Sequence, residues 1–269
     1  MSGSAGHSGG PDGADGTVER AYRLPPGRIV RRAREWRLYD QAGDRYTDFW
    51  QADGAAFLGH RPAGLARTVE AEIDRGLWTA LPTPWPRRLT AVLHRLAQCA
   101  SVPSLTILNG SDRAGRAGPN RWFPLGNADE TPDYRRAPSD PDETYGVVLP
   151  TPIALGSPVR RPEELSPVLL AALTRSALLL LDYVKSDAAR CRVELARSVA
   201  APPGRWRSGC WFLPPNAPES AERWNRIRSR ALERAVVLPP DSSTPIVVPG
   251  ELGRRERARW KELCDEWPL

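Results

Sequence analysis

Apolar and polar residues alternate in two short runs, Trp36-Arg37-Leu38-Tyr39 and Arg45-Tyr46-Thr47-Asp48-Phe49. Successive side chains of a strand point to opposite faces, so Trp36 and Leu38 share one face, Arg37 and Tyr39 the other. Between the runs lies Asp40-Gln41-Ala42-Gly43-Asp44, with a glycine where a hairpin turn tolerates positive φ. The pair predicts a β-hairpin. A helical period follows. Leu65, Val69 and Ile73 after Pro62 predict a helix closed by Gly76, and Leu89, Val92, Leu93 and Leu96 predict a second from Arg87 to Gln98. Ser104–Leu108 and Tyr145–Leu149 read as short strands. Ser166-Pro167 starts a strongly apolar helix that runs to Val184. The next helix, Asp187 to Val199, carries Cys191, Leu195 and Val199 at four-residue spacing, and Gly209–Leu213 reads as a strand. Pro218 to Arg234 predicts a helix with Trp224, Ile227 and Ala231 inward. Val236–Leu238 and Thr244–Val248 predict two short strands, and Leu252 to Asp265 a closing helix that buries Trp260 and Leu263. Residues 17–34 show neither period and read as an irregular or short helical lead-in, since Pro25-Pro26-Gly27 stops a helix. Arg121 to Pro162, rich in Pro, Asp and Gly, reads as a surface excursion around the strand at Tyr145, packed by Trp122, Phe123 and Tyr134.

Composition narrows the class. With 269 residues, 41% of them hydrophobic and ten of them Trp, the chain is long enough for a packed core. Basic residues number 38 against 32 acidic, yet only Lys185 and Lys261 are lysines. The arginines are interleaved with acids along the chain, which predicts a solvated mixed-charge surface and makes nucleic acid an unlikely partner. Cys99, Cys191, Cys210 and Cys264 lie far apart, without C-x-x-C spacing or a neighbouring histidine. They predict reduced, mostly buried thiols, no metal site and a cytoplasmic location. Residues 1–20 form a Gly/Ser/Asp-rich tail without the apolar core of a signal peptide. Pro167–Val184, interrupted by Thr174-Arg175-Ser176, reads as too short to span a bilayer, so no membrane is expected.

The segment from Trp36 to His60, with R-L-Y-D, then G-D-R-Y-T-D-F, then L-G-H-R-P, resembles the N-terminal segment of class III pyridoxal-phosphate aminotransferases, glutamate-1-semialdehyde aminomutases included. A second likeness lies in L-E-R-A-V-V-L-P-P and the strand–helix ending around it, which resembles the C-terminal small domain of that family. The resemblance covers residues 30 to 113 and 205 to 266. It implies an α+β fold: a remnant of the fold type I pyridoxal-phosphate transferase architecture, with an N-terminal hairpin plus helices and a C-terminal small α/β sandwich domain. The domain reading is a tail at 1–20, an aminotransferase-like segment at 21–118, a Pro-rich excursion at 119–165, and a helical hairpin plus small domain at 166–269. Full-length enzymes of the family are longer, and the missing length falls in the cofactor-binding domain.

The family's chemistry needs a lysine for the carbonyl cofactor, an aspartate for its ring nitrogen and backbone donors for its phosphate. The resemblance points to Asn109-Gly110-Ser111-Asp112 for the phosphate turn, so Gly110 and Ser111 are the candidate donors. Gly115, Gly118 and Pro119 fall where the supporting helix should run; an interior glycine costs about 1 kcal/mol and a proline about 3 kcal/mol. Leu180-Leu181-Asp182-Tyr183-Val184-Lys185-Ser186 resembles the family's D-E-V stretch, which makes Asp182 the ring-nitrogen candidate and Lys185 the catalytic candidate. The residues themselves favour a helix end there, and a lysine three positions after the aspartate does not suit that geometry. Lys261, between Trp260 and Glu262, reads as a surface residue, His60 as a structural turn residue, and Asp40, Asp48 and Asp53 as turn or surface residues. The sequence therefore predicts a non-catalytic aminotransferase-like protein with no cofactor, acting in binding or assembly as a homo-oligomer or with an intact aminotransferase. The alternative is a pyridoxal-phosphate-dependent aminotransferase or aminomutase-related enzyme.

Overall fold

The described part of the chain opens on a meander: β1 (Val30–Arg34), β2 (Arg37–Asp40) and β3 (Arg45–Asp48), all antiparallel. In this computed structural model the described residues are 29–52, 54, 56–76, 81–99, 106–107, 121–123, 145–147, 165–199, 205–208, 210–213, 221–242 and 246–267. The hairpin between β2 and β3 forms where the alternation predicts it. Gly43 takes φ +89, and the Asp40 carboxylate accepts the backbone N–H of Asp44 at 2.8 Å and the Tyr46 hydroxyl at 3.3 Å. The strand β1 corrects the expectation of an irregular or helical lead-in. Val-Arg-Arg-Ala-Arg has no apolar alternation because it is an edge strand with most of its side chains in solvent, and backbone pairing with β2 holds it.

Two helices follow, α1 (Leu65–Asp74) and α2 (Trp85–Cys99). Helix α1 starts later than Pro62 suggests, behind Gly64 at φ +75, and it is rotated from its predicted face. Leu65 is buried, but Ile73 is 47% exposed and Glu72 turns inward. Its carboxylate accepts the Trp85 indole N–H at 2.9 Å and pairs with Arg75, which joins α1 to α2. A buried acid is tolerated because it is bonded.

Three short strands, β4 (Thr106–Ile107), β5 (Arg121–Phe123) and β6 (Tyr145–Val147), form a parallel sheet with β6 in the middle. Arg121–Phe123 is thus a strand, where the composition reads as excursion. Gly110, Ser111, Asp53, Tyr134 and the 1–20 tail lie outside the described residues.

Helix α3 (Pro167–Val184) is the hub. The Ser166 hydroxyl accepts the Leu169 N–H at 3.3 Å and Pro167 opens the first turn, as the sequence predicts. It packs against α1, α2 and the next helix, α4 (Asp187–Ser198). By length and composition α3 is apolar enough to cross a membrane, contrary to expectation, but 61% of it is buried inside the protein. Leu170, Leu173, Ala177, Leu180 and Leu181 all join the core.

The C-terminal part comprises β7 (Arg205–Ser208), β8 (Trp211–Leu213), α5 (Ala221–Glu233), β9 (Val236–Val237), β10 (Ile246–Val247) and α6 (Arg254–Asp265). The order β10-β8-β7 makes an antiparallel sheet, and β7 is a strand the sequence reading lacks. The strand β9 leaves its sequence neighbours and joins β3 in parallel, completing the sheet β1-β2-β3-β9. Phe49 then links the two sheets: its N–H donates to Val237 O at 3.0 Å and its carbonyl accepts from Val247 N at 2.8 Å. Its ring stacks on Trp260 of α6, centroids 4.1 Å apart. Trp36 is wedged against Gly250, where a Cβ would collide with the indole. Both ends of the described chain therefore share one core.

Candidate functional site

The convergence of hairpin, α4 and C-terminal strands is built on the loop after β3. Asp48 is 1% exposed, a correction to its reading as a surface residue; Asp40, at 3%, is buried as well. The Asp48 carboxylate accepts the backbone N–H groups of Trp50 (2.9 Å) and Gln51 (2.8 Å) and lies 2.8 Å from His60 Nε2. His60 is tied in turn by its own N–H to Glu35 O at 2.7 Å. The pair fixes both ends of the loop. Gln51 sits in the left-handed region (φ 54) and is fully buried, with its amide donating to Val247 O at 3.0 Å.

Arg192 of α4 lies at the centre, 1% exposed. Its Nε and Nη2 donate to Val248 O (2.9 and 2.6 Å), Nη1 to Phe57 O (2.6 Å), and Nη2 also to Gln51 Oε1 (3.1 Å). The guanidinium lies 3.9 Å from the Phe57 ring centroid and 5.5 Å from that of Trp36, whose indole N–H also donates to Phe57 O. Carbonyl dipoles and aromatic faces stand in for a carboxylate. The expected face of α4, Cys191 with Leu195, is displaced. Ala189, Arg192, Val193 and Ala196 are buried, whereas Cys191 is exposed. The missed signal was positional: an arginine inside the 189–193–196 apolar stripe.

Among the described residues, the two ionisable groups whose electrostatics Arg192 influences are held protonated. Burial pushes the Tyr183 hydroxyl up to about 12 despite the opposing arginine. Burial likewise raises the Cys210 thiol, against the same arginine. Both stay protonated at neutral pH. All four cysteines are free, Cys210 and Cys264 buried and Cys99 partly so. Among the described residues no group of three or more His, Cys, Asp or Glu side chains is arranged for a metal ion.

A partly buried ion pair secures the outside of the hairpin. Arg37 Nε donates to Glu256 Oε1 at 2.8 Å and Nη2 to Oε2 at 3.0 Å, while the Gly253 N–H at the start of α6 donates to Oε2 at 2.7 Å. Burial would raise the Glu256 carboxyl, but the Arg37 and Gly253 hydrogen bonds and the charges of Arg37 and Arg45 bring it below the ordinary range.

The sequence-derived cofactor candidates are elsewhere. Lys185 follows the last turn of α3 and is exposed, its backbone N–H closing on Leu181 O. Asp182 is exposed on the same helix. Lys261 is exposed on α6 and pairs with Asp265, whose hydrogen bond raises its pKa.

No protein-family model matches the chain. Over 106 residues, 39% of this chain and 24% of the relative, it is 28% identical to a glutamate-1-semialdehyde 2,1-aminomutase of Aquifex aeolicus. Over 78 residues it is 36% identical to the same enzyme of Methanothrix thermoacetophila, covering 24% of this chain and 18% of that protein. The matches span about a quarter or less of these curated relatives. Among solved structures, an acetylornithine aminotransferase from Elizabethkingia anophelis superposes with a TM-score of 0.53 at 12% identity, covering 95% of each chain. The chain carries a partial aminotransferase-like fold. Its mixed helices and strands fit the α+β remnant of a fold type I transferase that the hairpin and L-G-H-R-P imply.

Such a fold implies pyridoxal phosphate, and the described residues do not fit it. That cofactor needs an amine enclosed beside its carbonyl, and both lysines of the chain, Lys185 and Lys261, face solvent. Asp182, also in solvent, has no enclosed position from which to pair with a ring nitrogen.

Proposed function

We propose that this chain is a non-catalytic aminotransferase-like protein with a binding or assembly role, exercised by self-association or by pairing with an intact aminotransferase. The observation that carries the reading is the placement of the lysines. A catalytic Schiff-base lysine is activated by desolvation in an apolar pocket or by a neighbouring cation, either of which lowers its pKa. Lys185 is exposed at a helix end, and Lys261 is exposed and engaged with Asp265. Meanwhile the polar groups at the centre of the fold are consumed in joining its segments: Asp48, Gln51, His60 and Arg192 each bond to protein groups. The framework is kept where the chemistry is not.

The test is incubation of the purified full chain with pyridoxal phosphate, followed by borohydride reduction and mass spectrometry, alongside light-scattering mass with and without the cofactor. The expected result is no specific borohydride-stable adduct, together with a mass above that of the monomer or one that rises on addition of an intact aminotransferase. A stoichiometric adduct on Lys185, lost in Lys185→Ala, would replace this reading with the catalytic one.

A further inference from the structure

We draw no further inference here: the strongest candidate, the cluster at the exposed N-terminus of α1, where Gly64 offers no side-chain cap and the Arg175 guanidinium donates to Ala63 O at 3.1 Å, rests on a helix end alone, and nothing else among the described residues points to a ligand there.

Discussion

Arg192 shows what a single side chain does here. An arginine buried without a carboxylate survives because its flat, forked donors reach three acceptors on two distant stretches of chain: Gln51 and Phe57 on one side, Val248 on the other. A lysine cannot reproduce that fork. Arg192→Ala is expected to lower the unfolding free energy by about 3–5 kcal/mol, as when a buried charged contact is broken. Arg192→Lys should still cost about 1–3 kcal/mol for the acceptors it leaves unmet. Urea midpoints measure both. Spacing alone hid this residue, because an arginine at position 192 looks like any other on a charged helix until its apolar neighbours at 189, 193 and 196 are read with it.

Between elements, the pair Arg37–Glu256 couples β2 to the start of α6 and so has a pH signature. Glu256 ionises more readily in the folded chain than its ordinary 4.5, because Arg37 and the Gly253 N–H outweigh the effect of burial. Its stabilising contribution is therefore complete above that ordinary value and is lost as pH falls through the lower, folded one. Thermal midpoints taken from neutral pH downward should fall across that acid window in the native chain. In Glu256→Gln the midpoint should be lower at neutral pH and the acid-range fall shallower. Element type was largely legible from the sequence, since the 2.0 and 3.6 periods placed the hairpin and each of α1 to α6 within a few residues. Facing was less so. Ile73 satisfies the period of α1 yet points to solvent, because Glu72 finds the Trp85 indole and Arg75 and a bonded acid can occupy the inward position. The edge strands β1 and β7 were illegible for the opposite reason: a strand with one free edge needs no apolar alternation, only a partner's backbone.

For the molecule as a whole, the decisive contacts are between segments near the two ends of the described chain. Strand β3 pairs with β9, Phe49 stacks on Trp260, and Gln51 is held by Val247 and Arg192. A fragment ending at Cys99 should therefore remain unfolded, with poor amide dispersion and little strand signal in circular dichroism. The full chain should unfold with coincident tryptophan-fluorescence and far-ultraviolet transitions. A well-folded fragment would show that the hairpin and first two helices carry their own core. The sequence by itself determined the hairpin, the caps at Ser166 and Pro167, the apolar hub helix and the scarcity of lysine, because each depends on residue type and short-range spacing. Tertiary structure alone decided that Asp48 and Arg192 go inside and that β9 crosses to β3. Burial and strand partnership are properties of what meets across the fold, and local periodicity carries no record of that.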